Sequence, residues 1–179
     1  ASMPIISSLV LIATFAIAAN GTVLAQTPEH KQGPLTVVQP WSRATAPSQK
    51  AGGVFLRIEN TSDQPDRLTG VETEMANIAS LHAMIRDGNV MKMRPVENGI
   101  DVPANGHVVL APGGRHVMLI GLHNRLAKGT TVPLTLIFER AGRIEIEAVI
   151  EGAGSHGPAS ARASGDGHGS HAASAKSGN

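Results

Sequence analysis

Nine short runs with apolar and polar positions interleaved follow one another from residue 35 to residue 150: Leu35–Gln39, Gly53–Asn60, Arg67–Glu72, Ile78–Arg86, Asn89–Val96, His107–Ala111, His116–Leu122, Val132–Arg140 and Arg143–Ile150. The alternation is clearest in Arg143-Ile144-Glu145-Ile146-Glu147, which puts isoleucine on one face and charge on the other. Turn-forming stretches separate the runs: Asn60-Thr61-Ser62-Asp63, Asp87-Gly88, Asn98-Gly99, Pro112-Gly113-Gly114 and Ala141-Gly142. Close-spaced strands without a long helical period predict one antiparallel all-β sandwich or barrel. The only helix-like segment is a short turn near Glu74–Ala79.

Both ends read differently. Residues 4–25 carry no charge and hold an apolar stretch too short to span a bilayer, ending in Val23-Leu24-Ala25. They are expected to be an export signal, residues 1–25, cut after Ala25, so that the mature protein is periplasmic and carries no membrane segment. Residues 26–33 are a short lead and residues 34–151 the folded domain. Residues 152–179 contain no β-branched or aromatic residue and are expected to be a disordered tail.

Composition narrows the chemistry. A net charge of +1, from 15 Lys+Arg against 14 Asp+Glu, gives no electrostatic reason to expect nucleic acid. The absence of cysteine excludes disulfides, zinc–thiolate sites, iron–sulfur clusters, thiol nucleophiles and thiolate-based copper electron-transfer sites. No spacing marks a hydrolase triad, and Glu145 and Glu147 read as a solvated face, so an enzyme is not expected. His107 and His123 read as surface residues and Trp41 as a packing residue.

The chemistry gathers around one turn. With Asp87-Gly88 as a two-residue hairpin loop, Met84 opposes Met91 and His82 opposes Met93, all on one face. His116 and Met118 form a second His-x-Met pair on another strand. Imidazole with thioether selects a soft monovalent ion, and Cu(I) is the physiological one; zinc favours thiolate or carboxylate, and calcium and magnesium favour oxygen. A methionine stripe is ordinarily core filler, and strand histidines are ordinarily surface groups. Two His-x-Met triplets in a cysteine-free exported domain weigh toward a metal.

The segments Leu81-His82-Ala83-Met84, Gly88-Asn89-Val90-Met91-Lys92-Met93-Arg94 and Pro112-Gly113-Gly114-Arg115-His116-Val117-Met118-Leu119 resemble the periplasmic Cu(A) copper chaperone family, PCuAC. So do Trp41-Ser42-Arg43-Ala44-Thr45-Ala46-Pro47, Asn60, Pro103-Ala104 and Phe138-Glu139-Arg140-Ala141-Gly142. Ten residues separate His82 from Met93, as in the family; twenty-two separate Met93 from His116, one more than its pattern, an insertion assigned to Glu97-Asn98-Gly99. The resemblance implies a single cupredoxin-like Greek-key β domain that binds Cu(I) through His82, Met93, His116 and Met118. It implies a monomer that delivers copper to the Cu(A) domain of cytochrome c oxidase subunit II, alongside a Sco-type thiol protein. Met84 and Met91 stand beside that motif as flanking thioethers or packing. A copper sequestration or resistance protein on the same site, and a metal-free structural sandwich, are the alternatives. The tail histidines His156, His168 and His171 are candidates for capturing Cu(II), which imidazole suits without thioether.

Overall fold

The computed structural model describes residues 29–159, and all the elements it assigns there are strands. In order they are β1 (Glu29–Gln32), β2 (Leu35–Arg43), β3 (Ala51–Asn60), β4 (Asp66–Glu72), β5 (Ala76–Asp87), β6 (Val90–Pro95), β7 (Ile100–Val102), β8 (Gly106–Leu110), β9 (Arg115–Leu122), β10 (Thr131–Phe138) and β11 (Gly142–Glu151). They join one sheet in the order β6-β5-β9-β3-β2-β11-β10-β4-β7, with β1 added to β2 and β8 to β3. Among the described strand pairs only β11 and β2 run parallel. The two halves of β3 serve different partners: Ala51–Val54 pairs with β9 and Leu56–Asn60 with β8. Leu81 from β5 and Ile100 and Val102 from β7, near opposite ends of the sheet order, share one apolar interior, so the sheet rolls over on itself. The expected all-β, cupredoxin-like domain is borne out.

Alternation decides what enters that interior. On β11, Ile144, Ile146, Ala148 and Ile150 are buried while Glu145 and Glu147 are exposed; on β10, Val132, Leu134, Leu136 and Phe138 are buried. Asp66 is the exception, a buried carboxylate at the start of β4. It accepts backbone N–H groups from Arg67 (2.7 Å), Arg140 (2.9 Å) and Ala141 (3.0 Å), tying β4 to the β10–β11 turn. These bonds offset the desolvation of the charge.

Four segments differ from expectation or fall outside the described residues. Residues 29–32, expected in a lead, pair with β2 across a turn at Gly33, whose φ of 56° suits glycine. The helical turn expected near Glu74–Ala79 is instead a bend followed by strand. Thr73 Oγ1 accepts from Met75 N and donates to Pro133 O, and Ala76 then pairs with Leu122. A hydroxyl that bonds its own backbone competes with helix formation. Through Ala159 the segment expected to begin the tail is anchored: Arg43 Nε donates to Ser155 O (2.7 Å) and Ala159 N to Glu151 Oε1 (3.0 Å). The expected export signal and the histidines His168 and His171 lie outside the described residues.

One irregularity prepares the site. Along β2, Leu35 and Val37 face the interior opposite Asn60 and Ile58, but the register slips between Val38 and Trp41, where Gln39 has a φ of 49°. An inserted residue reverses the inward–outward alternation beyond it. Ser42, opposite Val54, therefore points inward, and Trp41, opposite Phe55, points to the outer face. Trp41 and Phe55 are buried, yet neither belongs to the interior cluster.

Candidate metal centre

The hairpin that carries the chemistry is built differently from its predicted register. Gly88 and Asn89 form the two-residue loop, so Asp87 opposes Val90, Arg86 opposes Met91, Met84 opposes Met93 and His82 opposes Pro95. Gly88 has a φ of 63° while Asn89 has no positive φ, as in a turn that needs a left-handed residue only at its first central position. The ion pair between Lys92 and Asp87 braces this end. The loop moves by one residue, which shifts each pairing by two. Because that shift is even, His82, Met84, Met91 and Met93 still share a face.

On the other side of β5, His82 stands directly opposite His116 of β9, and Ser80 opposite Met118. Met118 is thus diagonal to His82 from one side, and Met93 diagonal from the other. Diagonal neighbours lie about 7–8 Å apart, within reach of long side chains. The two imidazole centroids are 6.1 Å apart. A metal–nitrogen bond of about 2 Å plus roughly 1.2 Å from nitrogen to ring centre lets two imidazoles on one ion stand up to about 6.5 Å apart. The observed 6.1 Å lies within that limit.

Hydrogen bonds sort the ring nitrogens. His116 Nδ1 lies 3.1 Å from Gly114 O, a carbonyl that can only accept, so the proton is assigned to Nδ1 and the Nε2 lone pair stays free. The same carbonyl accepts the backbone N–H of Met84 (3.2 Å), locking β9 to β5 beside the site. His82 Nε2 lies 3.1 Å from Ser80 Oγ, while its Nδ1 is buried with no hydrogen-bond partner. A buried, unpartnered nitrogen is what a bound metal satisfies. Burial, and then the neighbouring His116, hold the His82 pKa below the ordinary histidine value, which favours the neutral, ligating form.

A wall that sequence reasoning missed closes one side. Phe55 lies between Trp41 (centroids 4.8 Å) and His116 (6.3 Å), and the Arg43 guanidinium stands 5.9 Å from the Phe55 centroid. Gly53, opposite Met118, provides the space under the ring: a Cβ there would sit 3.1 Å from Phe55 Cζ. Trp41 is a packing residue as expected, but it packs in this wall. The signal was the alternation in β3, which sets Gly53 and Phe55 against the inward Val54 and Leu56. Exposure grades across the site, with His116 7%, Met93 44% and Met91 51% exposed.

The remaining candidates are elsewhere. His107 is exposed on β8; His123 bonds Glu74 O and Asn77 Oδ1, both at 2.9 Å; His156 is exposed beyond β11. Among the described residues no three His, Cys, Asp or Glu side chains gather as a metal cage; the soft side-chain donors flanking the His82–His116 pair are the thioethers of Met93 and Met118. An open groove of about 610 Å³, lined by His30, Glu72, Glu74, Arg143, Glu145 and Glu147, is distant in the sheet from this pair, and Arg143 neutralises Glu72 within it.

The family described as "Putative lipoprotein LpqE-like" matches residues 35–150. A Leifsonia xyli protein, likewise named a putative lipoprotein, is 30% identical over 114 residues, 64% of this chain and 68% of that one. Among solved structures, the copper-bound PCuAC domain from PmoF2 is 28% identical with a TM-score of 0.59, covering 69% of this chain and 97% of that domain. The Cu(I) form of DR1885 from Deinococcus radiodurans is 30% identical with a TM-score of 0.52, covering 71% of this chain and 81% of that one.

Proposed function

Because the chain belongs to the LpqE-like family and to its PCuAC-type domains, we propose that it is an exported copper carrier that binds Cu(I) on His82, Met93, His116 and Met118 and delivers it to the Cu(A) centre of cytochrome c oxidase. The observation that carries this reading is the His82–His116 pair: directly opposed, 6.1 Å between ring centres, with one buried nitrogen left unpartnered and a thioether diagonal on either side. A copper-bound and a Cu(I)-bound relative support copper as the ion. The lipoprotein names of the relatives support an envelope location.

The roles follow from chemistry. His116 offers Nε2, oriented by its bond to Gly114 O; His82 offers Nδ1, with Nε2–H given to Ser80. Met93 and Met118 supply soft sulfur, which favours Cu(I) over Cu(II) and zinc. All four donors are neutral, so the ion keeps its charge and is held less tightly than by thiolates. Such a hold allows an acceptor bearing thiolates to take the ion. No electron or proton need move.

The test loads the protein with one equivalent of Cu(I), reads its shell by X-ray absorption, and mixes it with an apo Cu(A) domain. A mixed nitrogen and sulfur shell and copper appearing in the acceptor are expected. His82→Ala or His116→Ala should weaken binding far more than His107→Ala or His123→Ala. Equal losses at all four histidines would remove the site assignment, and copper retained under every condition would favour sequestration over delivery.

A further inference from the structure

Three thioethers crowd the outer face of one hairpin, and only Met93 is used by the proposed carrier site. Met84 directly opposes Met93, which places their Cβ atoms about 4.5–5.5 Å apart. Met91 lies two residues along β6 on the same face, opposite Arg86. Core filling does not account for them. Met91 and Met93 are both exposed, and on the reverse face Ile85 and Val90 are exposed as well, so this end of the hairpin covers no interior. Its outer face holds no carboxylate, only His82, Met84, Arg86, Met91, Met93 and Pro95. The one cation among them is drawn toward the turn, where Arg86 Nε donates to Gly88 O at 3.1 Å. Among the described residues β5 is the only strand paired with β6, so within them this face lies at the edge of the sheet.

We propose that Met84, Met91 and Met93 form a second, solvent-side Cu(I) station through which the ion leaves the protein, an inference that rests on the copper-carrying reading above. Met93 belongs to both donor sets. The ion pivots on that sulfur: its bonds to His82, His116 and Met118 break as bonds to Met84 and Met91 form. Every donor is neutral, so the oxidation state and the proton count do not change. Three thioethers without imidazole hold Cu(I) less tightly than the mixed set, and they present it at the sheet edge, where an acceptor's thiolate can attack from solvent. The soft donors and the missing carboxylates also make the station a poor site for zinc or calcium.

Two variants test this. The double variant His82→Ala/His116→Ala is titrated with Ag(I), a redox-inert soft monovalent ion, while the methionine methyl signals are followed by NMR. One equivalent should still bind, more weakly, and the Met84, Met91 and Met93 methyls should shift; no binding, or shifts at Met118 alone, would overturn the station. The second variant, Met84→Leu/Met91→Leu, replaces a half-buried and an exposed side chain by others of similar volume and leaves the four proposed carrier ligands in place. Its first equivalent of Cu(I) should keep a nitrogen-containing shell, while transfer to a thiolate chelator slows by about tenfold, the lower end of what loss of a supporting group costs a metal site. An unchanged transfer rate would refute the exit role. The two readings fail separately: a wild-type shell without nitrogen removes the four-ligand site, whereas the Ag(I) shifts in the histidine-free variant report on the station alone.

Discussion

Replacing Gly53 with alanine probes the wall behind His116. The glycine backbone at 53 is not left-handed, so alanine meets no conformational penalty there, and the three atoms nearest the added Cβ all belong to the Phe55 ring, at 3.1, 3.7 and 3.8 Å. The shortest contact is a few tenths of an ångström inside ordinary packing. The ring cannot retreat freely, because Phe55 is 6% exposed and held between Trp41 and His116. Overpacking typically costs about 1–3 kcal/mol, while removing a glycine from the unfolded chain returns about 0.4–1 kcal/mol. The mid-range values, about 2 against about 0.7 kcal/mol, leave a net loss of about 1.3 kcal/mol, a fall in Tm of roughly 5 °C for a domain of this size. Cu(I) affinity should fall with it, because the displaced ring presses on His116. Thermal unfolding by circular dichroism and a competition titration with a Cu(I) chelator measure the two effects. Gly70→Ala is the control: its new Cβ would lie 3.7 Å from Ile137 Cδ1, an ordinary contact, so stability should hold or rise. Adding Phe55→Leu to Gly53→Ala should recover part of the loss, since the two sites share one contact. A Gly53→Ala protein as stable as wild type and with unchanged copper affinity would refute the account of the wall.

Two further outcomes follow from single side chains. Asp66→Ala removes the acceptor of three backbone N–H groups and should cost about 2–4 kcal/mol in urea unfolding; a loss below about 1 kcal/mol would show that water replaces the carboxylate. In the copper-free protein the His82 pKa is depressed in the folded state, so the unfolded chain binds more protons just below the ordinary value of about 6.5. The stability this protects is complete above that pH and is lost as pH falls toward the folded pKa; His82→Gln should flatten the decline, and identical pH profiles for the two proteins would contradict it.

Most of the strand content was legible because each strand pays its way by alternation between turn-formers, as Ile144 and Ile146 do against Glu145 and Glu147. Gathering two histidines and their thioethers on one face was legible too, because face depends only on parity. Register was harder. Asp87-Gly88 and Gly88-Asn89 are both good two-residue loops, and the choice between them rests on which central position takes the positive φ. The wall stayed hidden for a different reason. Alternation from Leu35 and Val37 assigns Trp41 to the interior, and nothing in the residue types announces the slip at Gln39-Pro40 that turns it outward. The strands β1 and β7, of four and three residues, are too short to show a period.

Every proposed donor stands within β5, β6 or β9, at a paired position of the ladder, and none is supplied by a loop. Among the described residues the proposed site therefore has no loop to close over the ion, and that part of the molecule is expected to keep one outline with and without its cargo. A receiving protein cannot tell a full carrier from an empty one by shape; it can tell them apart only through the ion itself. If the protein delivers copper as proposed, empty carriers occupy the same docking position as full ones, and delivery depends on the ratio of the two as much as on the amount of copper. On that reading, a cell that makes far more of the carrier than it has copper to load would slow its own supply line.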